Sequence, residues 1–217
     1  MNCIVTAGPT HEPLDDVRRL TNFSTGRLGT ELAGFLTARG HRVTLLVGEL
    51  ATYSGERQAA AVKTFSSTAD LRAKLKALAG KRVDAVFHAA AVSDFAFGNL
   101  FTRDAAGKLK PFTATRKIST RGGNLFVELV PTPKIIAKLR GWFPSAKIVG
   151  WKYEADGNRA AALRAARRQI ADCATDYCVA NGPAYGKGFN LVSADGQKHF
   201  ISSGKLFFRL AMVGAGC

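Results

Sequence analysis

Short runs of apolar and β-branched residues alternate with longer amphipathic segments along most of the chain. A parallel sheet needs such alternation, because each pair of parallel strands is joined by a long crossover that is usually a helix. The pattern therefore predicts an α/β fold with a mostly parallel sheet flanked by helices. No internal repeat or low-complexity linker interrupts the pattern, so we expect a single domain over residues 1–217.

The apolar runs predict strands at residues 3–6, 42–47, 61–65, 83–90, 124–130, 147–151 and 177–180. The amphipathic segments predict helices at residues 29–39, 68–78, 133–139, 158–173 and 205–213. Thr68 is expected to be the N-cap of the second helix. An Asp-Gly turn predicts a hairpin between residues 190–193 and 199–202. Residues 93–115 show no clear pattern, and an irregular connection of that length is usually a lid, a binding loop or an interface arm.

The chain is strongly basic, with 31 Lys and Arg against 16 Asp and Glu and a formal net charge of +15. Such a field concentrates nucleotides, phosphorylated metabolites or nucleic acid, and it does not choose among them. Met1 and Asn2 lead directly into the first predicted strand, and no apolar run approaches the ~20 residues of a membrane span. We therefore expect a cytoplasmic protein without a membrane partner. The four cysteines lack CxxC or zinc-finger spacing, so no metal site is predicted.

Two early segments carry residues that suit a phosphorylated ligand. Residues 6–10 place Gly8 in a turn beyond the first strand, where the backbone can approach a phosphate, although a plain tight turn is an equal alternative. Residues 22–29 place an amide, two hydroxyls and a glycine before a helix N-terminus, where the helix dipole favours an anion. Capping of that helix by Ser24 or Thr25 is the alternative. Arg18 is either placed to reach the same ligand or a surface cation.

A third segment follows the buried strand at residues 83–90. The small side chains of residues 89–91 allow a flat ring to approach the backbone, and Asp94 can hold an amine, a hydroxyl or Mg²⁺, or cap a helix instead. His88 lies in an apolar run, where a lone histidine is more often a core residue than a catalyst. We leave His88 out of the mechanism.

Taken in order, these segments resemble the phosphopantothenoylcysteine synthetase family, the ligases of coenzyme A biosynthesis. The resemblance begins with TAGPTHEPLD at residues 6–15 and includes VR at 17–18, TNFSTGRLG at 21–29 and AAVSD at 90–94. It continues through residues 117–118, 132–133, 149–151, 180–181 and 188–190. The resemblance therefore covers nearly the whole chain.

The resemblance implies a Rossmann-like sheet and a homodimer in which a β arm from the basic region exchanges strands between subunits. It also implies a reaction that joins 4′-phosphopantothenate to cysteine. A nucleoside triphosphate first reacts with the pantothenate carboxylate to give an acyl nucleotidylate and pyrophosphate, and the cysteine amine then displaces the nucleotide. The nucleotide is generally CTP in bacterial members and ATP in eukaryotic ones, with Mg²⁺ in both, and CTP is the expectation here.

The resemblance also assigns roles to individual residues. Asn22 is expected to hold the acyl intermediate, with Arg18 nearby, and Lys117 to meet the triphosphate; these three are the expected catalytic residues. The expected nucleotide-binding residues are Gly8, Ala90, Ala91, Asp94, Lys117, Pro133, Lys134, Ile135, Ile136 and Trp151. The expected substrate-binding residues are Asn22, Ser24, Thr25, Gly26 and Arg27. For Trp151, a core aromatic is the alternative.

Three positions depart from the pattern of bacterial members. Ser119 and Thr120 stand where two further lysines are usual, and Gly182 stands where an aspartate is usual. These departures leave the choice between CTP and ATP open, as well as the full activity of this chain. Many members follow a flavin-dependent decarboxylase domain, whereas here the first strand starts at the initiating residue. We therefore expect no FMN in this chain and a separate decarboxylase as a partner if there is one.

Two functions of other classes stay open as alternatives. A Rossmann-type NAD(P) oxidoreductase would need a GxGxxG fingerprint or a Tyr-x-x-x-Lys pair, and neither occurs. A non-catalytic homologue that binds nucleotides or nucleic acid is supported by the positive charge alone. We therefore expect no nucleic acid among the partners.

Overall fold

The structure is a computed structural model that describes residues 1–113 and 116–213. The strands in this part of the chain are β1 (Asn2–Ala7), β2 (His11–Pro13), β3 (Arg19–Thr21), β4 (Arg42–Gly48), β5 (Ala61–Phe65), β6 (Ala85–His88), β7 (Phe95–Arg103), β8 (Leu109–Phe112), β9 (Leu125–Pro131), β10 (Lys147–Tyr153), β11 (Tyr177–Asn181), β12 (Phe189–Ser193) and β13 (Gln197–Phe200). The helices are α1 (Arg27–Thr37), α2 (Thr68–Lys76), α3 (Ile136–Trp142), α4 (Arg159–Cys173) and α5 (Ser203–Ala211), with a 3-10 turn at Thr120–Gly122. Within the described ranges, no helix combines the length and apolarity that crossing a membrane requires.

Eight strands form one sheet in the order β13-β12-β11-β10-β6-β1-β4-β5. The six strands from β11 to β5 are parallel, and β12 and β13 add an antiparallel hairpin at one edge. Chain order reverses between β1 and β6, as in the Rossmann arrangement, and ligands of such sheets bind outside the carboxyl ends of the strands at that point. The prediction of a Rossmann-like, mostly parallel sheet flanked by helices is confirmed.

Helices cover both faces of this sheet, which is why the central strands are almost continuously apolar. Val5 and Phe87 point to one face, where they pack in a core cluster with residues of α1 and α5. Ile4 and Val86 point to the other face, where they pack with residues of α2 and α3. The two cores hold β1 and β6 rigidly in the centre, so the loops that follow these strands start from fixed points.

The prediction that residues 93–115 are irregular is wrong for most of this stretch, of which residues 114 and 115 lie outside the described residues. β7 and β8 in this stretch form a second sheet with β9, in the order β8-β7-β9, which we call the β arm. A register shift between Phe97 and Leu100 interrupts the pairing of β7 with β9, so side chains do not alternate regularly along β7 and the period-two pattern is lost. The β arm carries exposed apolar side chains, among them Leu109 and Leu129.

Other differences from the predicted elements are small. Ser67, and not Thr68, is the N-cap of α2, because the Ser67 hydroxyl accepts a hydrogen bond from the Asp70 amide at 3.2 Å. The amide of Thr68 instead donates to the Glu12 carboxylate at 3.0 Å. The short hairpin of β2 and β3 was not predicted, since three-residue strands are too short to show a period.

Candidate nucleotide and substrate site

The loops that follow β1 and β6 are joined by backbone hydrogen bonds at the point where the strand order reverses. The Ala91 amide donates to the Gly8 carbonyl at 3.0 Å, and the Thr10 amide donates to the Ala91 carbonyl at 3.1 Å. The Ala90 amide donates to the Thr6 hydroxyl at 3.1 Å. Three of the predicted nucleotide-binding residues, Gly8, Ala90 and Ala91, therefore lie side by side at the carboxyl edge of the sheet.

Glycines allow the N-terminus of α1 to pack directly against the turn at Gly8. Gly8 and Gly26 both have left-handed backbones, with φ of 80° and 79°, that side chains of other residues rarely adopt. A Cβ atom on Gly26 would lie 2.9 Å from the Ala51 Cβ, and one on Gly8 would lie 2.8 Å from the same atom. The turn at Gly8 is thus closely packed on one side, and the space for a ligand lies beside the N-terminus of α1.

A cleft of about 350 Å³ opens at this N-terminus. It contains the predicted substrate-binding residues Ser24, Thr25, Gly26 and Arg27, and its further lining includes Ala89, Asn181, Phe189 and Ser203. Gly26 occupies the N-cap position of α1 and has no side chain, but the Thr25 hydroxyl accepts the amide of Arg27, the first residue of the helix, at 3.3 Å. The capping interpretation therefore holds in part, for Thr25. The other amides of the first turn favour an anionic ligand at the positive end of the helix.

The Arg27 side chain pairs with Glu31, one turn further along α1. Its Nε donates to the Glu31 carboxylate at 2.7 Å, and its guanidinium carbon lies 5.9 Å from the centre of the Tyr53 ring. The hydrogen bond to Glu31 raises the pKa of Arg27 above its ordinary value. Arg27 is thus a partly neutralised cation at the rim of the cleft.

The three predicted catalytic residues lie at the loops that join the main sheet, the β2–β3 hairpin and the β arm. The Asn22 side-chain amide donates to the Ala91 carbonyl at 3.1 Å. The Arg18 guanidinium donates to the Ile118 carbonyl at 2.7 Å, next in sequence to the exposed Lys117. The structure therefore joins Asn22 to the loop after β6, and Arg18 to the segment that carries Lys117.

Asp94 and Lys134, both predicted to bind the nucleotide, form an ion pair in which Lys134 Nζ lies 3.1 Å from Asp94 Oδ1. Each side chain is 71% exposed, so both charges are open to solvent. The Thr132 amide donates to the Asp94 carbonyl at 2.9 Å and thereby holds the loop after β6 against the one after β9. Ile135 is buried in the core, and Ile136 is partly buried at the start of α3.

Trp151 lies in β10 and packs against the hydrophobic core. Its ring contacts the cluster that contains Val149 and Val179, which supports the core interpretation in part. Its indole Nε1 is closed off from solvent and has no hydrogen-bond partner among the described residues, and the same holds for Oδ1 of Asn181. Buried polar atoms are normally satisfied, so both atoms point to a partner such as a ligand or water.

Asn181, Phe189 and Ser203 line the cleft but are missing from the predicted site residues. Asn181 ends β11, and polar residues at the carboxyl ends of parallel strands are candidates for ligand contact in such folds. That signal was present in the sequence for Asn181. Phe189 and Ser203 reach the cleft only because the hairpin of β12 and β13 pairs with β11.

His88 is buried below the loop after β6. Its Nδ1 lies 2.9 Å from the Thr6 hydroxyl, which also accepts the Ala90 amide. Burial lowers the pKa of His88 to about 4, so the ring is neutral at pH 7. His88 thus supports the loop from inside the core and has no direct access to a ligand. The described residues contain no group of three or more His, Cys, Asp or Glu side chains that could hold a metal ion.

Residues 1–205 match the DNA/pantothenate metabolism flavoprotein C-terminal domain family. The coenzyme A biosynthesis bifunctional protein CoaBC of Thermococcus kodakarensis is 35% identical over 195 residues, which make up 89% of this chain and 44% of that protein. The chain therefore spans less than half the length of this relative.

Two solved structures share the fold. The DNA/pantothenate metabolism flavoprotein from Streptococcus pneumoniae has a TM-score of 0.81 at 23% identity, over 97% of this chain and 96% of that chain. A Cab2 variant in complex with phosphopantothenate-cysteine has a TM-score of 0.75 at 18% identity, over 97% and 84%. At these identities the likeness concerns the fold, whereas the family match extends over nearly all of the sequence. The chain belongs to the DNA/pantothenate metabolism flavoprotein C-terminal domain family.

Proposed function

We propose that this chain is a ligase that joins 4′-phosphopantothenate to cysteine in coenzyme A biosynthesis, through an acyl nucleotidylate. One observation carries the proposal: the Asn22 amide reaches the Ala91 carbonyl, so the two segments most similar to the ligase family meet at the carboxyl edge of the sheet. The names of the relatives support it, since one is a coenzyme A biosynthesis protein and another was solved with phosphopantothenate-cysteine.

In the first step, a carboxylate oxygen of 4′-phosphopantothenate attacks the α-phosphorus of the nucleotide, and the bond to pyrophosphate breaks. Two anions must approach each other for this attack, so positive charge at the phosphates lowers the barrier. Lys117 supplies that charge, the N-terminus of α1 adds its dipole, and the net charge of +15 raises the local concentration of both anions.

In the second step, the cysteine amine attacks the acyl carbon, the nucleoside monophosphate leaves and the amine loses a proton. Asn22 is suited to this step because a neutral amide donates hydrogen bonds to acyl or phosphoryl oxygens without adding negative charge. Its position beside Ala90 and Ala91 places it where the nucleotide is expected, and Ser24 and Thr25 in the adjoining cleft are available for the phosphopantothenate part.

CTP is the nucleotide we propose, since the chain resembles bacterial members of the family. ATP stays the alternative because Ser119, Thr120 and Gly182 depart from the pattern of those members. Mg²⁺ would be bound together with the nucleotide, and the exposed Asp94 carboxylate is the side chain that could contribute a protein ligand. The site residues, the location in the cytoplasm, the homodimer and a separate decarboxylase all remain part of the proposal. The expected absence of FMN also stays a prediction.

A Rossmann-type oxidoreductase is a weaker alternative. The turn at Gly8 packs against Gly48, where a Cβ atom would lie 2.3 Å from the Pro9 carbonyl oxygen, and Pro9 is bridged to Ala91. In dinucleotide-binding proteins this turn instead approaches the pyrophosphate of the ligand. The packing of this turn therefore differs from that of a dinucleotide-binding turn.

Product analysis tests the proposed function. The protein is incubated with 4′-phosphopantothenate, cysteine, Mg²⁺ and either CTP or ATP, and the cysteine amide is followed by mass spectrometry. We expect amide formation only when all components are present, with one nucleoside monophosphate formed per amide. A nucleotide-independent product, or binding of the nucleotide without any amide, would contradict the proposal.

A further inference from the structure

We propose that Asp15 is a positioning residue that, together with Arg18, holds the segment of residues 116–118 so that Lys117 faces the site. The inference rests on the proposed function, since it assigns to Lys117 the contact with the triphosphate. It changes the role of Arg18, which acts here through the backbone of another segment.

Asp15 and Arg18 bind both polar groups of one backbone residue. The Ile118 amide donates to Asp15 Oδ2 at 3.1 Å, and Arg18 Nη2 donates to the Ile118 carbonyl at 2.7 Å. Arg18 Nη2 also donates to Asp15 Oδ2 at 2.5 Å, and Arg18 Nε donates to the same oxygen at 3.1 Å. We call this set of four bonds the Asp15–Arg18 clamp.

The clamp connects parts of the chain that are 100 residues or more apart in sequence. A further bond from the Asp16 amide to the Arg116 carbonyl, at 3.0 Å, lies on the other side of Lys117. Lys117 is therefore flanked by two residues whose backbones are fixed to the β2–β3 turn, while its own side chain lies at the surface. A fixed backbone lowers the entropic cost of placing the long, flexible Lys117 side chain against a phosphate.

The surroundings of the Asp15 carboxylate favour its ionised form. Its side chain is fully closed off from solvent, and hydrogen bonds from Arg18 hold its pKa well below its ordinary value. The two oxygens have separate tasks. Oδ1 accepts the amides of Val17 and Arg18 within the turn, at 2.9 and 2.7 Å, whereas Oδ2 accepts three of the four bonds of the clamp.

This division makes Asp15→Asn a selective test. The asparagine keeps one oxygen for the two turn amides, but its NH₂ group replaces Oδ2 and accepts no bond from Ile118 or Arg18. Asp16→Asn is the matched control, because it removes one negative charge from the same turn and none of the clamp bonds. Arg18→Lys is a second variant that keeps the charge beside Asp15 and loses the forked geometry.

The first readout is hydrogen exchange of the Ile118 amide, measured by NMR on the whole chain. We expect exchange about 10- to 100-fold faster in Asp15→Asn, which corresponds to the loss of a charge-assisted hydrogen bond, and no change in Asp16→Asn. If Asp15→Asn does not fold, Arg18→Lys is expected to show the faster exchange. An Ile118 amide that exchanges at the wild-type rate in a folded variant would overturn the clamp.

The second readout is pyrophosphate release in the presence of 4′-phosphopantothenate, measured once with CTP and once with ATP. We expect Asp15→Asn to lower kcat about tenfold or more while leaving KM for 4′-phosphopantothenate within twofold, and to add nothing further when combined with Lys117→Gln. A wild-type kcat in Asp15→Asn would refute the positioning role even if the exchange rate rises. A wild-type chain that releases no pyrophosphate contradicts the proposed function instead, and the Ile118 exchange then still decides whether Asp15 holds the segment.

Discussion

The side-chain amide of Asn22 donates a hydrogen bond of 3.1 Å to the backbone carbonyl of Ala91. The Ala91 carbonyl also accepts the amide of Thr10, so the loops after β1, β3 and β6 meet at one oxygen atom. Asn22 is therefore both a candidate ligand of the intermediate and a link between these loops. Variants at this position must separate the two roles.

Asn22→Asp is expected to slow amide formation more than pyrophosphate release. The substitution keeps the size of the side chain but replaces a donor by a negative charge that repels the acyl nucleotidylate and the Ala91 carbonyl. The loss of one charge-assisted bond costs about 1.5–3 kcal/mol before repulsion is counted. Pyrophosphate and the cysteine amide are measured in the same sample. Asn22→Ala is the control without added charge, and wild-type rates for both products in Asn22→Asp would show that Asn22 has only a loop-linking role.

Lys117→Gln is expected to lower the rate of nucleotidylate formation about 10²- to 10³-fold, as the loss of one preorganised electrostatic group typically does. Because Lys117 is exposed, its loss should leave the chain folded, with little loss of stability. Pyrophosphate release in the absence of cysteine gives the rate. Lys110→Gln is the matched control, since Lys110 lies in the β arm, with its Nζ 3.4 Å from Asp104. Equal rates for wild type and Lys117→Gln would remove Lys117 from the mechanism.

His88→Asn is expected to flatten the dependence of stability on pH. Burial lowers the folded-state pKa of His88 from 6.5 to about 4, so the unfolded chain binds more protons between these values. The wild-type free energy of unfolding should fall as the pH drops from 6.5 to 4, by at most about 3 kcal/mol from this residue. Denaturant titrations of both proteins across this range give the difference. Parallel curves would show that His88 does not stay neutral in the folded chain.

The protein is expected to be a homodimer joined through the β arm. β9 lies at an edge of the arm and carries Leu129, which is 48% exposed. The unpaired backbone groups of an edge strand can form hydrogen bonds with a strand of another chain. Light scattering at micromolar concentration should give the mass of a dimer for the wild type and of a monomer for Leu129→Lys. Ile201→Lys, at another exposed apolar position, should stay dimeric. A monomeric wild type would be incompatible with this assignment.

Hydrophobic periodicity was sufficient for the main sheet, because its central strands are buried on both faces and read as continuous apolar runs. β4 ends one residue later than predicted, and the more exposed edge strand β5 was also predicted with its observed bounds. β7 and β8 of the β arm escaped prediction, since they are largely exposed and the register shift after Phe97 breaks the alternation along β7, whereas β9 was predicted at residues 124–130 and is observed at Leu125–Pro131. Periodicity is therefore weakest where a strand is both exposed and irregularly paired.

The candidate site was predictable where residues follow parallel strands directly, as Gly8, Ala90 and Ala91 do. It was not predictable where a partner comes from a distant part of the chain. Arg18 and Ile118 are 100 positions apart in the sequence, and no local sequence pattern predicts their contact. The same is true of Ser203, which reaches the cleft through α5 and the edge hairpin.

The most direct test of the proposed function is pyrophosphate release from nucleotide and 4′-phosphopantothenate in the absence of cysteine. We expect about one pyrophosphate per site with CTP, less or none with ATP, and continuous release once cysteine is added. The reverse preference would replace CTP by ATP and leave the ligase intact. No pyrophosphate with either nucleotide, with or without cysteine, would contradict the central claim that this chain activates a carboxylate as an acyl nucleotidylate.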